Sequence, residues 1–434
     1  MKRKLLANNV GSALSSLLNN GRTFYAPFAD AGSGSVSLVA SGAGASQAAT
    51  FTRATTATTV DSSGLIVSVA SGVARSYYDP TTLEYRGYLA EGARTNLLLR
   101  SEEFDNASWT KTDTTITANS IVAPDGATTA DLMTEGSAGT ARVDQAATIT
   151  ANATVTVSRF IKRGDTDWVR LEVFETAVGG NRIDGWFNLA TGSVGSATNT
   201  GTATGASVSI KAYSNGFYRC ILSGAVNNGA TAVTFMSASA TANASTSRVA
   251  SSTRYEWGAQ FENSASFASS YIPTTTAAVT RNADALTYDA SNWNATAGTC
   301  YAEASCQWTA SPLGIIIGSA ASSTIYPLGV QFAAAATTVQ TRDGTNNIVK
   351  SGLSSMATGV RKRAASWGAA GLLAGGDGLA MATGSYDGNN NAGTGAIGIG
   401  CDDASAVRNW FGTIRNVRIY STQFTDAQLQ AITA

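Results

Sequence analysis

Arg254-Tyr-Glu-Trp-Gly-Ala-Gln-Phe-Glu262 alternates apolar and polar residues without a break. In a strand, Tyr255, Trp257, Ala259 and Phe261 share one face and Arg254, Glu256, Gln260 and Glu262 the other. The same period recurs upstream in Val155–Ile161 and Trp168–Glu175, and Gly185-Trp-Phe-Asn-Leu-Ala-Thr-Gly192 is a strand closing on a turn. Val208–Tyr213 and Phe217–Leu222 flank Ser214-Asn215-Gly216. Asn-Gly marks a hairpin because both residues tolerate positive φ. Strands at this spacing predict an all-β chain, with a two-sheet antiparallel sandwich over residues 96–280.

Ser270-Tyr-Ile-Pro-Thr-Thr-Thr276 and Val279-Thr-Arg-Asn-Ala-Asp284 read as an extended connector to a second β-sandwich over residues 285–434. Its closing strand, Asn409–Tyr420, is expected to bury Phe411, Val417 and Ile419 and to expose Arg415, Asn416 and Arg418 in part. A helix follows, with Thr425 as N-cap, Gln428 completing a capping box and Phe424 stapling onto Leu429. Upstream, Thr50–Trp109 holds short β-type runs (Leu65–Val69, Tyr85–Leu89, Asn96–Leu99) between the turns Asp61-Ser-Ser-Gly64 and Asp79-Pro80. Residues 26–95 are assigned to a linker and extended β region, glycine-rich at its start. Residues 1–25 form an N-terminal anchor: Leu6, Val10, Leu14, Leu17 and Leu18 recur at helical spacing, and Asn19-Asn20-Gly21 ends the run. Such a stripe packs on a host particle, on copies of itself, or on the first β domain.

Composition narrows the function classes. Of 434 residues, 44% are hydrophobic, enough for large cores, but only 13% are charged, so Thr, Ser, Asn and Gly must make the surface. The 29 basic and 29 acidic residues balance, which gives no field to attract nucleic acid or an anionic membrane. No run reaches the roughly 18 apolar residues of a membrane span. Met1-Lys-Arg-Lys4 imitates a secretory leader, but Asn8, Asn9, Ser12, Ser15 and Ser16 interrupt the apolar run that should follow. Cys300 and Cys306 share one strand, about 20 Å apart, too far for a disulfide. With Cys220 and Cys401 single in other strands and no histidine, buried free thiols are expected and a zinc site is not.

The absence of histidine also removes Ser-His-Asp and Cys-His catalysis. Glycan cleavage needs two carboxylates on one cleft. Glu102-Glu103 and Asp402-Asp403 are adjacent and so point apart in a strand, and Asp165 and Asp167 sit in a turn. No catalytic residues are assigned, and the chain is read as a non-enzyme. Sugar binding instead needs an aromatic platform beside amides and carboxylates. Tyr386-Asp387-Gly-Asn389-Asn390-Asn391 fits such a loop, with Asp402 and Asp403 as neighbours; its bland alternative is a hairpin turn. Trp109, Trp186, Trp257 and Trp410 lie in strand-like contexts and belong in the core. Arg361-Lys362-Arg363 is read as a solvated sheet edge.

Three stretches together carry a resemblance. Phe51-Thr-Arg-Ala54, Tyr78-Asp-Pro80 and Arg94-Thr-Asn-Leu-Leu98 resemble the segment that precedes a jelly-roll domain in tailed-phage fibre and spike structural proteins. The GWFNLATG, NGFYRC and YEWGAQFE runs are similar to that jelly-roll, which is carbohydrate-binding-module-like. The strand-then-helix ending resembles the concanavalin A-like, laminin-G-like lectin sandwich. The resemblance implies a homotrimeric protein of the phage particle surface, in head or tail. It implies attachment to other virion proteins through the N-terminus and host-surface polysaccharide as the ligand of a distal lectin-like domain. It also implies calcium as the cation that Asp387, Asn389, Asp402 and Asp403 would take, no cofactor being required otherwise. The alternatives are a glycan-depolymerising tailspike enzyme, a purely decorating capsid protein, and a secreted bacterial glycan-binding protein.

Overall fold

The computed structural model describes residues 22–434 except 43–44, 138, 177–179, 214, 228, 230, 290–292, 307–313, 320–325, 334–335, 344, 346, 354–358, 391–395 and 403–407. Leu6, Val10, Leu14, Leu17 and Leu18 of the expected anchor, and Asp403, lie outside the described residues. The described residues are all-β and antiparallel, with one short helix among them, Asp426–Thr433 at the C-terminal end. That helix starts as its sequence requires: the Thr425 side chain accepts from the Gln428 amide, and the Gln428 side chain accepts from the Thr425 amide.

Residues 97–263 build a sandwich of two six-stranded sheets. One sheet runs Thr110–Thr112, Arg142–Thr148, Ala232–Ala240, Trp168–Glu175, Arg182–Asn188, Ser193–Thr200 in space. The other runs Thr114–Val122, Thr128–Glu135, Thr253–Asn263, Thr154–Arg163, Tyr218–Ala225, Thr204–Ala212. Val157, Leu171, Phe187, Leu222, Phe235 and Phe261 fill the space between them.

The strand Thr253–Asn263 departs from the simple alternation of its sequence. Ser158 pairs with Gln260 but Phe160 with Trp257, so the strand carries one extra residue, a bulge in which Gly258 and Ala259 oppose Arg159, with Gly258 at φ +60°. The bulge switches faces. Before it, Glu256 points between the sheets, onto Arg159 and Ser237; after it, Ala259 and Phe261 do. Trp257 therefore leaves the set expected on one face and packs outside, with Phe160 and Tyr271. Gln260 and Glu262 also point outward, yet stay buried because Ile272 and Ser269 donate backbone amides to them.

The second sandwich is not residues 285–434 alone. Its larger sheet, of 12 strands, places Gly412–Tyr420 between Gly298–Cys306 on one side and two N-terminal strands on the other. Arg22–Ala26 and Tyr85–Ala90 pair end to end along that side. Opposite lies a seven-stranded sheet in which Ala49–Thr52 pairs with Ala285–Asp289. Residues 26–95, assigned from sequence to a linker and extended β region, thus supply strands to both sheets. The physical reason is hydrogen bonding: without them, the backbone of the closing strand would present a bare edge. Phe24, Phe28 and Tyr88 join Tyr288, Trp367, Trp410 and Ile419 in one core. Val417 and Ile419 are buried as expected, but Phe411 lies before the strand at φ +56° and is half-buried. Arg361-Lys362-Arg363 lies in an interior strand, not at an edge, and Arg363 is buried against Asp377 at 2.6 Å. All four cysteines are buried free thiols; Cys401 sits just after a strand rather than in one.

The first sandwich is therefore an insertion in the second. Its ingoing strand Arg94–Asn96 pairs with its outgoing strand Val279–Arg281. Beside this ribbon lies a buried ionic clasp. Asp284 accepts from Arg53 at 2.9 Å and from Arg75 at 2.5 Å, and Glu91 accepts from Arg75 at 2.9 Å and forms an ion pair with Arg281 at 3.5 Å. Burial alone would raise the Glu91 carboxyl, but Arg281, Arg75 and two Ser270 hydrogen bonds bring it down to about 2.

Gly258→Ala meets positive φ and places a Cβ 2.9 Å from Phe160, so it is expected to cost about 2–4 kcal/mol in denaturant unfolding. For Glu91 the folded pKa lies below the ordinary 4.5, so its contribution is whole above that value and is lost as pH falls toward 2. Unfolding at pH 6 and pH 3 should differ by about 2 kcal/mol from this group. Glu91→Gln should flatten that part of the pH dependence.

Candidate functional site

Gly368-Ala369-Ala370-Gly371 joins two strands of the larger sheet, and Gln423 holds the turn by accepting from the Ala370 amide and donating to the Gly371 carbonyl. Small residues there leave a shallow groove of about 820 Å³, completed by Thr383, Gly384, Ser385, Gly388, Thr296 and the ring of Tyr386. Tyr386 is half-buried, and its hydroxyl donates to the Ala295 carbonyl while accepting from the Asn390 amide. Burial pushes its phenol up to about 12, so it stays neutral. Behind it Trp293 stacks on Trp367, centroids 4.6 Å apart, and donates its indole N–H to the Asn390 carbonyl at 2.8 Å. The aromatic wall is thus held by backbone contacts on both flanks.

The sequence-derived residues separate into three groups. Asp387 and Asn389 are exposed and adjoin Tyr386 and Gly388 of the groove in the chain, and Asp387 accepts from the Asn389 amide in a turn. Asn390, expected to face a ligand, is fully buried, and neither atom of its side-chain amide has a hydrogen-bond partner among the described residues. Asp402 lies beyond the other end of the strand Ala396–Ile399, and both of its oxygens accept from Arg408, at 2.6 and 2.8 Å. The guanidinium already occupies the place a cation would take. Asp387, Asn389 and Asp402 are therefore not brought together as a calcium shell. Among the described residues there is no group of three or more acidic, cysteine or histidine side chains placed to hold a metal.

One residue of the site was overlooked in the sequence. Asp343 is fully buried and accepts from the amides of Thr345, Asn347 and Asp387, the last at 3.1 Å. Its run, Asp343-Gly-Thr-Asn-Asn347, repeats the Asp-Gly-x-Asn pattern of the Tyr386 loop, and that repetition was the available signal.

The acids weighed for catalysis hold structure. Glu103 pairs with Arg100 at 3.0 Å, Asp165 accepts from the Thr253 amide and Asp167 pairs with Arg163 at 2.6 Å. Glu102 accepts from the Tyr271 hydroxyl at 3.0 Å; burial raises its carboxyl to about 7. Trp109, Trp186, Trp257 and Trp410 are all buried.

No protein-family model matches the chain, and no curated protein does. Among solved structures, the chain superposes on Trypanosoma rangeli sialidase at 9% identity and TM-score 0.26, covering 70% of this chain and 60% of that one. The same sialidase in complex with sialic acid gives 10% identity and TM-score 0.26, with the same coverage. Mouse laminin alpha1 chain, domains LG4-5, gives 11% identity and TM-score 0.24, covering 80% of this chain and 94% of that one. The chain thus spans less than two thirds of the sialidase chains it matches. Superpositions this loose carry no argument about function.

Tyr386→Phe keeps the ring and removes both hydroxyl hydrogen bonds. It is expected to cost about 1–2 kcal/mol in chemical denaturation and to speed amide exchange at Asn390.

Proposed function

We propose that the chain is a non-enzymatic, glycan-binding structural protein of a tailed-phage particle, and that the groove beside Tyr386 holds the sugar. The observation that carries the binding role is the groove itself: Tyr386, fixed by hydrogen bonds, lines it, and the exposed Asp387 and Asn389 adjoin Tyr386 in the chain. A pyranose has an apolar face for the ring and a polar edge for a carboxylate or an amide. The particle setting is supported by the sequence resemblance of the Phe51, Tyr78 and Arg94 stretches, and attachment through residues 1–21 and a homotrimeric state belong to the same proposal.

Chain order is not spatial order, and this changes the layout expected from sequence. Arg22 pairs with Tyr420, Tyr420 with Thr299, and the neighbouring Gly298 with Trp367, next to Gly368 of the groove. Ala90, where the chain departs toward the inserted sandwich, pairs with Gly412 at the opposite end of the same strand. The groove accordingly lies on the side of the N-terminal arm, and the inserted sandwich is the unit furthest from both.

A glycan array and whole-cell binding assay on the full chain, with and without calcium, tests the proposal. Residues 285–434 alone would lack the strands of residues 22–90 that complete both sheets. Saturable, calcium-independent binding, weakened at least tenfold by Asp387→Ala with Asn389→Ala in a folded protein, is the expected result. Absence of binding by the folded wild type would leave a decorating role as the better account.

A further inference from the structure

A second depression, a cleft of about 570 Å³, opens at the waist between the outer face of the inserted sandwich and the N-terminal hairpins. One wall is the antiparallel pair Thr204–Ala212 and Tyr218–Ala225, whose register sets Ser207 opposite Ser223, Ser209 opposite Ile221 and Lys211 opposite Arg219. Period two puts Ser207, Ser209 and Lys211 on one face, and all line the cleft. The other wall is polar and aromatic, with Thr58, Tyr77, Asp79 and Arg86.

Two like charges directly across an antiparallel pair repel unless something neutralises them. Among the described residues no carboxylate comes within ion-pairing distance of either; Asp79 acts on Lys211, and Glu262 on Arg219, only from further away. Lys211 donates to the Tyr77 hydroxyl, and Arg219 to Ser158 and to the Ser269 carbonyl at 2.7 Å; neither makes an ion pair among the described residues. Asp79 is the single carboxylate of the cleft, and it accepts from the Thr81 and Thr82 amides and faces Arg86. Burial draws the Lys211 ammonium below its ordinary pKa, the direction expected of a cation short of anionic partners.

We propose that this cleft is a second sugar site, selective for an acidic sugar, with the carboxylate on Lys211 and ring hydroxyls on Ser207 and Ser209. An anion completes the charge balance of the Lys211–Arg219 pair. The adjacent serine hydroxyls and the Tyr77 ring suit a polyol rather than a bare ion. The site is independent of the Tyr386 groove, from which it is separated by the body of the second sandwich.

Calorimetric titration of the full chain with methyl β-D-glucuronide and methyl β-D-glucoside tests this. The glucuronide should bind at least tenfold more tightly than the glucoside. Lys211→Met should abolish that difference, while Lys211→Arg, which keeps the charge, should retain most of it. Equal binding of the two sugars, no binding of either, or a glucuronide preference that survives Lys211→Met in the folded protein would overturn the proposal. Acetate binding as tightly as the glucuronide would overturn its sugar component. Because the readout is the glucuronide–glucoside difference and its dependence on Lys211, failure of the groove reading leaves it intact.

Discussion

Asp284 is the residue on which the architecture turns. Its two carboxylate oxygens receive Arg53 and Arg75, and its Oδ2 also accepts the Glu91 amide at 3.0 Å. Glu91 in turn receives Arg75, Arg281 and the backbone and side chain of Ser270. Five stretches far apart in sequence thus meet at one buried point, where the inserted sandwich leaves and rejoins the chain. A buried ion pair contributes little net stability over apolar packing, but removing one partner strands the other and costs about 3–5 kcal/mol. Such a cluster works chiefly by excluding other arrangements: a strand slipped by one residue would leave a guanidinium unpaired in the interior.

The clasp and its surroundings also give physical meaning to the Phe51, Tyr78 and Arg94 stretches. Arg53 of Phe51-Thr-Arg-Ala54 is a member. Tyr78-Asp-Pro80 forms a turn in which Asp79 accepts from Thr81 and Thr82, while Thr81 donates to the Ala212 carbonyl of the inserted sandwich at 3.0 Å. Asn96 of Arg94-Thr-Asn-Leu-Leu98 is fully buried and bonds the Ala259, Ile272 and Phe261 backbones. These motifs are the joinery between the two sandwiches, which explains why they name an architecture and no ligand.

Much of this was legible in the sequence wherever local pattern decides structure. Period-two runs, the Asn215-Gly216 hairpin, the Thr425 capping box and the free thiols depend on neighbours within a few residues. What escaped depends on partners far away. Arg22–Ala26 and Ala49–Thr52 are too short and too plain to announce themselves as strands; pairing with residues some 230 to 400 positions later creates them. The Gly258-Ala259 bulge is invisible to a periodicity count, because the glycine fits the apolar–polar rhythm equally well flat or bulged. Tyr386 and Asp387 stood out because an Asp-Gly-Asn loop follows an aromatic, a pattern that a plain turn shares. That Asn390 and Asp402 are buried was not legible, because sequence does not show which polar residues turn inward.

The central claim is that the two ends of the described chain form one sandwich. Hydrogen–deuterium exchange of the intact protein, followed by mass spectrometry, tests it most directly. The account predicts that amides of Arg22–Ala26 and Tyr85–Ala90 are protected as strongly as those of Gly412–Tyr420, the strand they pair with. Exchange of the N-terminal segments within seconds, while Gly412–Tyr420 stays protected, would show a linker in their place and contradict it.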